Sequence, residues 1–398
     1  MLQRRLIPWL LSAAFLMFLP TQTSRLFAQG SCGPFVDVSA NDVFCPFILQ
    51  AFIDSVTQGT SPTTFSPNDL LPRNQVVTFF DRVLDQALHR GTVRTAIGKT
   101  WAPTSTIGAV ATDMGGSIND IVTDGTFLWV ARNDGKILKV NAADRRLIET
   151  WSLVSGSPRK LGVFAGLVWI ADDQGALHVF NPTNAAGNAT VLFNNATISP
   201  GFPTLAFDGT NVWHASAGGT NIRIYPVSSP SATVVTGAAN IEGMVFDGTN
   251  MWLLLANSTL LKLSLPTTAA PVPTAAETLT IPGTVTDCRM VYDGNNIWIP
   301  SGAGNVFVVR PTLNVASLPS SIVLNQSVPG VAFPYVASFD SENVMIGGVN
   351  NGTVALYKAT NVTFIRTIVT GATGVRGIAS DGKTFNIGDF VGTKFFQF

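Results

Sequence analysis

The stretch Asp208-Gly-Thr-Asn-Val-Trp213 decides the fold, because it recurs along most of the sequence. Close copies stand at 124–129, 247–252 and 293–298, and more divergent copies at 164–169, 340–345 and 381–386. The copies follow one another at intervals of about 40 residues, and short runs of apolar and β-branched residues flank them. This period is typical of a β-propeller in which each copy builds one blade.

Seven copies predict seven blades, each a four-stranded sheet, over residues 105–398. The first repeat predicts strands at 118–123, 127–132, 136–141 and 147–153, joined by Asp-Gly hairpin turns. The last repeat ends before its fourth strand, so we expect the strand-like segment 105–112 to pair beside 393–398 and close the ring. The predicted fold class is therefore all-β, with a small α-helical domain before the propeller.

The repeated phrase also resembles a known class of bacterial proteins. Phrases of the form Asp-Gly-Thr-Asn-x-Trp are common in propellers of the NHL/YVTN-like class, and the resemblance covers about residues 105–398. It implies the propeller fold. It implies little about chemistry, because this class contains binding proteins, scaffolds and a few enzymes.

A candidate ligand site follows from the repeat register. The positions four and five residues before each turn Asp are expected on the innermost strand, nearest the mouth of the central channel. Charged residues are scarce in this chain, yet six occupy or align with these positions: Asp120, Arg159, Lys160, Glu242, Arg289 and Arg376. Their balance towards Arg and Lys favours an anionic or polyhydroxylated ligand. The alternative is a set of solvated loop ends joined by salt bridges.

The turn aspartates themselves predict structure and not chemistry. Each stands next to Gly in a hairpin turn, where Asp caps backbone amides. The sequence contains no nucleophile elbow and no phosphate-binding loop. It therefore predicts neither a catalytic set nor a cofactor.

Composition restricts the range of partners. Charged residues make up 12% of the chain, and 24 basic residues balance 24 acidic ones. A neutral chain gives no electrostatic reason to expect nucleic acid as a partner. Its hydrophobic content of 46% is ample for a large core.

Residues 1–28 have the layout of a secretory signal peptide. Arg4 and Arg5 precede an apolar run at 6–19, and Ala28 offers a small residue for cleavage. The run is shorter than the roughly 20 residues that span a bilayer, so we expect no transmembrane segment in the mature chain. An uncleaved N-terminal anchor and a lipoprotein modified at Cys32 are the alternatives.

The three cysteines fit an exported protein. Cys32 and Cys45 lie close together in the small domain, which favours a disulfide between them, and Cys288 is then expected as a buried thiol. There is no CxxC pair or Cys/His cluster, so the sequence predicts no metal site.

Residues 29–90 predict a small helical domain. An apolar segment at 43–56, with Asn41 or Asp42 as N-cap, predicts a first helix that ends before Gly59. A second helix is expected from about 72 to 89, because its apolar residues repeat at helical spacing. Residues 91–104 have no clear periodicity and predict a linker.

This order of segments resembles an S-layer homology (SLH) domain. The family pattern is matched in order by Phe35, Asp37 and Val38, then Gly59, Phe65 and Pro67, and finally Arg73. SLH domains bind cell-wall polymers or peptidoglycan, so the resemblance implies surface anchoring, with Asp37 and Arg73 as candidate wall-binding residues. The family's Thr-Arg-Ala-Glu motif reads Pro-Arg-Asn-Gln at 72–75, and one copy is visible where three are usual. A small structural cap is the alternative.

Together these patterns favour an exported, non-catalytic protein of the cell surface or periplasm. The SLH-like domain would bind cell-wall polymer, and the propeller would serve as a scaffold for an unknown protein or glycan. The alternative is a propeller enzyme, a lyase or lactone hydrolase, with Glu242 and Asp120 among its polar groups. A purely structural propeller within a larger envelope assembly is the third hypothesis.

Overall fold

A computed structural model describes residues 30–53, 56–73, 75–80, 83, 112–184, 187–193, 201–217, 219, 221–227, 233–236, 240–267, 272–283, 285, 288–311, 320–382 and 384–398. The chain divides into two units, Met1–Arg94 and Thr95–Phe398. The predicted signal peptide (1–28) and linker (91–104) lie outside the described residues, as do residues 84–89 of the predicted second helix.

The N-terminal unit contains a short hairpin and a helix. Its elements are β1 (Ser31–Cys32), β2 (Phe35–Ser39) and α1 (Cys45–Ile53). The helix is shorter than the predicted 43–56, and the Asp42 carboxylate accepts the Phe44 N–H at 2.8 Å beside its start. Residues 75–80 are also helical. These few elements do not establish an SLH-like architecture, which stays a prediction.

A small apolar core and a disulfide hold this unit together. Cys32 and Cys45 form the disulfide, which ties β1 to the first turn of α1. Phe35, Val38 and Ile48 are buried beside it. A pair of strands this short would be marginal alone, so the covalent link contributes much of its order.

The second unit is a propeller of seven four-stranded antiparallel blades, as the repeats predict. The strands of the first four blades, from the innermost outwards, run in chain order. Blade 1 contains β4 (Ile118–Thr123), β5 (Phe127–Arg132), β6 (Lys136–Asn141) and β7 (Leu147–Ser152). Blade 2 contains β8 (Pro158–Phe164), β9 (Leu167–Asp172), β10 (Leu177–Phe180) and β11 (Thr190–Phe193). Blade 3 contains β12 (Pro203–Phe207), β13 (Asn211–Ser216), β14 (Asn221–Pro226) and β15 (Thr233–Thr236). Blade 4 contains β16 (Ile241–Phe246), β17 (Met251–Leu255), β18 (Thr259–Leu263) and β19 (Ala275–Thr280).

The last three blades complete the ring. Blade 5 contains β20 (Val291–Tyr292), β21 (Ile297–Pro300), β22 (Asn305–Arg310) and β23 (Ser321–Ser327). Blade 6 contains β24 (Pro334–Phe339), β25 (Asn343–Gly348), β26 (Gly352–Lys358) and β27 (Thr363–Ala372). Blade 7 contains β28 (Val375–Ser380), β29 (Phe385–Asp389), β30 (Lys394–Gln397) and β3 (Thr112–Asp113).

The ring closes as predicted, with an N-terminal strand supplying the outer edge of blade 7. The strand β3 pairs with β30, and Thr112 stands opposite Phe395. The described strand is the two-residue segment Thr112–Asp113, whereas the prediction placed it at 105–112. Arg132 of blade 1 donates to the Met114 carbonyl at 2.8 Å and forms an ion pair with Asp134. This contact ties the closing segment to blade 1.

The repeated phrase is explained by its hydrogen bonds. In four blades the Trp donates its indole N–H to the turn Asp, over 2.6 to 3.0 Å. The second carboxylate oxygen accepts turn amides, as Asp208 does from Thr210 at 2.8 Å and Asn211 at 2.6 Å. Trp213 is fully buried and packs against Ile241 of the next blade. The turn aspartates therefore serve the turns, and the Trp side chains fill the spaces between blades.

Candidate binding site at the channel mouth

The inner strands share an irregularity at one end of the channel. In five blades the pairing of the first and second strands skips one residue at the same repeat position. The skipped residues are Asn119, Arg159, Glu242, Tyr335 and Arg376. A β-bulge redirects a side chain and bends its strand. The bulges therefore mark the channel mouth, and three of the six predicted site residues occupy them.

The residue after each bulge is buried in the channel wall. Asp120 is fully buried, and Lys160 is 6% exposed. At the equivalent position of blade 7, Gly377 lies against the backbone of blade 1, where a Cβ would stand 2.8 Å from the Ile121 nitrogen. The equivalent positions of blades 4 and 7 are the glycines Gly243 and Gly377, so this level contains both charged side chains and positions without a side chain.

An ion pair crosses the channel. Asp120 of blade 1 pairs with Arg289, which precedes the inner strand of blade 5. These blades are not neighbours in the ring, so the contact spans the mouth. The same Asp120 oxygen accepts the Leu161 N–H at 2.8 Å, whereas Oδ1 has no hydrogen-bond partner within the described part of the chain. Burial lowers the pKa of Arg289 to about 10, so the guanidinium is charged at neutral pH.

A second cation lies among aromatic rings. The Arg376 guanidinium is 3.8 Å from the ring centroid of Phe390, 5.2 Å from that of Tyr335 and 5.5 Å from that of Phe202. The Lys160 ammonium lies 5.9 Å from the same Tyr335 ring. Phe202 belongs to the connection before blade 3 and is 42% exposed. A cation over the face of an aromatic ring is attracted by the ring's quadrupole, and Lys160 and Arg376 share the Tyr335 ring, so these side chains form one cluster over the channel.

The remaining two predicted residues have separate environments. Arg159 donates to Asn119 at 3.3 Å and approaches Asp173 at 3.5 Å, so it bridges blades 1 and 2. Glu242 is half-buried on blade 4, and its carbonyl accepts the Cys288 N–H at 3.1 Å. The structure thus brings Asp120, Lys160, Arg289 and Arg376 together and places Arg159 to one side.

A cavity of about 320 Å³ occupies the channel below this cluster. Lys160 and Arg289 line it, together with hydroxyl groups from Thr204 and Ser338. Apolar side chains from the inner strands supply much of the remaining wall: Ile121, Leu161, Met244, Met290, Ala337 and Ile378. The charged groups of the lining are therefore at the mouth, and Thr123 and Ser380 add hydroxyl-bearing residues where the inner strands end.

Sequence reasoning missed the aromatic part of the mouth. The repeat register places Tyr335 among the positions nearest the mouth, five residues before Asp340, but nothing in one sequence indicated that its ring would face a cation. Phe202 and Phe390 lie in connections between strands, which the repeat register does not cover. Only the closed ring shows that these three rings surround Arg376.

A second polar cluster is buried between blades 2 and 3. His178 shares a hydrogen bond of 2.9 Å with Asp172, and both side chains are fully buried. His214 and Arg223 are buried on the facing blade. Burial, reinforced by Arg223, lowers the pKa of His214 to about 3, so this imidazole is neutral across the physiological range.

In the N-terminal unit, Asp37 has a defined structural contact. Its carboxylate accepts the N–H groups of Phe65, at 2.9 Å, and Ser66, at 2.7 Å. These hydrogen bonds lower the pKa of Asp37 below its ordinary value. Arg73, the other predicted wall-binding residue, is exposed at the start of the second helical segment. Their role in wall binding stays a prediction.

Two further findings concern the described residues. No three His, Cys, Asp or Glu side chains among them are grouped as metal ligands would be. No helix in the described ranges is both long and apolar enough to cross a membrane.

Comparisons with known proteins identify no family. No protein-family model matches the chain, and no curated protein matches it significantly. The seven-bladed fold is consistent with an NHL/YVTN-like propeller.

Proposed function

We propose that this chain is an exported, non-catalytic protein of the cell envelope. The N-terminal unit, as an SLH-like domain, binds cell-wall polymer. The propeller presents its channel mouth as a scaffold for a protein or glycan partner. The observation that carries the proposal is the cluster of charged side chains and aromatic rings that six blades contribute at one end of the channel.

The chemistry of the mouth supports binding. Guanidinium groups offer several fixed donors, and exposed rings such as Phe202 offer flat apolar surface. Convergent polar groups on a concave surface are the usual form of a ligand site. The ammonium of Lys160 and the guanidinium of Arg376 lie beside the Tyr335 ring at the mouth, and such donors suit an anionic or polyhydroxylated ligand.

The tethering part rests on the SLH-like sequence pattern and on two contacts within it. The two halves of that pattern touch each other, because Asp37 accepts the Phe65 amide and the rings of Phe35 and Phe65 lie 5.5 Å apart. The pattern residues thus act as one local structure. The enzyme hypothesis stays a prediction, and no contact among the described residues favours a particular reaction.

Co-sedimentation with purified sacculi from the host tests the tether. The mature chain is compared with Arg73→Ala, with Arg376→Ala at the mouth, and with Arg146→Ala as a matched control on an exposed propeller turn. We expect the wild type and the control to pellet and Arg73→Ala to stay in solution. If the wild type and all the variants stay in solution, the tether is refuted. If Arg376→Ala is the one variant that stays in solution, the propeller mouth and not the N-terminal unit binds the wall.

A further inference from the structure

The N-terminal unit contains a groove of about 630 Å³ that the sequence did not predict. One wall is the segment 57–60, which follows α1, and the other is formed by residues 69–72 and the helical residues 75–79. Phe65 and Phe79 contribute aromatic surface. The volume falls within the usual range for small-ligand sites, about 300 to 1,000 Å³.

Local structure fixes the shape of this groove. Gly59 has φ +78°, and a Cβ there would stand 2.4 Å from the Thr64 carbonyl oxygen, so the turn that forms one wall requires glycine. The Asp37 carboxylate holds the amides of Phe65 and Ser66. Because the groove is organised before any ligand binds, little conformational entropy has to be lost on binding.

The polar groups in the groove are amides and hydroxyls. Gln58 and Gln75 supply amides, which both donate and accept hydrogen bonds. Thr60 supplies a hydroxyl, and its oxygen lies 2.8 Å from that of Ser66. Sugar hydroxyls also donate and accept, so amides and hydroxyls complement them at every position. The rings of Phe65 and Phe79 provide surface for the apolar face of a sugar.

The charge of the lining selects against an acidic ligand. Asp69 is the one charged side chain among the described residues that line the groove, and it is a carboxylate. Among the described lining residues an anionic polymer would meet no cationic partner, and Asp69 would repel it. We propose that this groove binds an uncharged polyhydroxylated chain, such as a neutral glycan strand, through Gln58, Gln75 and the two phenylalanine rings. The inference deepens the proposed tethering function and rests on it.

Isothermal titration of the full mature chain tests this inference. The neutral probe is chitotetraose, and the anionic probe is polygalacturonate. The variants are Gln58→Ala and Gln75→Ala in the groove, with Gln174→Ala as a matched loss of an exposed amide on the propeller. Thermal unfolding of each variant verifies that it is folded.

We expect chitotetraose to bind, and each groove variant to bind it about tenfold more weakly, since each loses one hydrogen-bonding amide. The Gln174→Ala control should bind like the wild type. The affinity should be unchanged between low and high salt, because the ligand carries no charge.

Three results would overturn the inference: no binding of chitotetraose, binding that both groove variants retain in full, or binding of polygalacturonate alone that salt weakens. The sedimentation experiment separates these failures from failure of the tether. If the chain pellets with sacculi but does not bind chitotetraose, the tether stands and the neutral-glycan assignment is wrong. If it binds chitotetraose but does not pellet, the groove assignment stands and the tether is wrong.

Discussion

The ion pair between Asp120 and Arg289 offers the most direct test of the mouth geometry. Asp120 is fully buried, and its Oδ1 has no hydrogen-bond partner among the described residues. Without the guanidinium, the Leu161 N–H at 2.8 Å would be the one hydrogen-bond donor left to the carboxylate in the described part of the chain. Removing one member of a buried ion pair typically costs ~3–5 kcal/mol, because the other charge is left buried and uncompensated. We therefore expect Arg289→Met to lower the free energy of unfolding by about 3 kcal/mol or more.

A double-mutant cycle isolates the interaction itself. The single variants are Arg289→Met and Asp120→Asn, and the double variant removes both charges while nearly keeping the side-chain volumes. Replacing both partners of a buried pair by neutral groups is often close to neutral in stability. The double variant should therefore lose less than half of what Arg289→Met loses. Urea unfolding followed by tryptophan fluorescence measures each free energy.

Additive losses would refute the reasoning. If the double variant loses the sum of the two single losses within about 0.5 kcal/mol, the charges do not interact across the channel. A coupling energy between the two charges that falls strongly with added salt would also contradict the geometry, because a buried ion pair is screened far less than an exposed one.

Three other perturbations test the fold. Asp208→Ala leaves the buried indole N–H of Trp213 without its acceptor at 2.7 Å, so it should cost ~1–3 kcal/mol in urea unfolding. In a Trp213→Phe background the same change should cost less, because only the turn amides of Thr210 and Asn211 then lose their acceptor; an equal cost in both backgrounds would show that the indole bond is unimportant. Arg132→Ala removes the hydrogen bond to the Met114 carbonyl, so the amides of the closing strand should exchange hydrogen faster while the rest of the ring stays protected. Equal protection of the closing strand in variant and wild type would contradict this. The pKa of His214 is lowered to about 3 in the folded chain from 6.5, so the unfolded chain binds the extra proton and stability should fall by ~1.4 kcal/mol per pH unit from pH 6.5 towards 3. When the free energy of unfolding is measured as a function of pH, His214→Phe should reduce this slope. An unchanged slope in the variant would show that other groups cause the loss of stability in acid.

The blades themselves could be predicted because each is built from local signals. Asp-Gly turns and alternating strands repeat along the chain. In blade 1 three strands have their predicted bounds, and β7 ends one residue earlier than predicted. The role of Asp208 also followed from its place beside Gly in a turn. The closing strand was expected from a missing fourth strand in the last repeat. Its described position, Thr112–Asp113, depends on pairing with a segment nearly 300 residues away.

The sequence by itself determined the all-β propeller, the number of blades and the level of the channel at which Asp120, Lys160 and Arg376 lie. Each of these depends on a pattern of residues that are close together in the sequence and that repeats along it, so it can be predicted from one sequence. The partners of those charges were decided only by the tertiary structure. Asp120 meets Arg289 across the channel, and Arg376 meets Phe202, because closing the ring brings together strands that are far apart in the chain. The groove beside Phe65 has the same origin, since its walls come from separate segments whose packing no local pattern records.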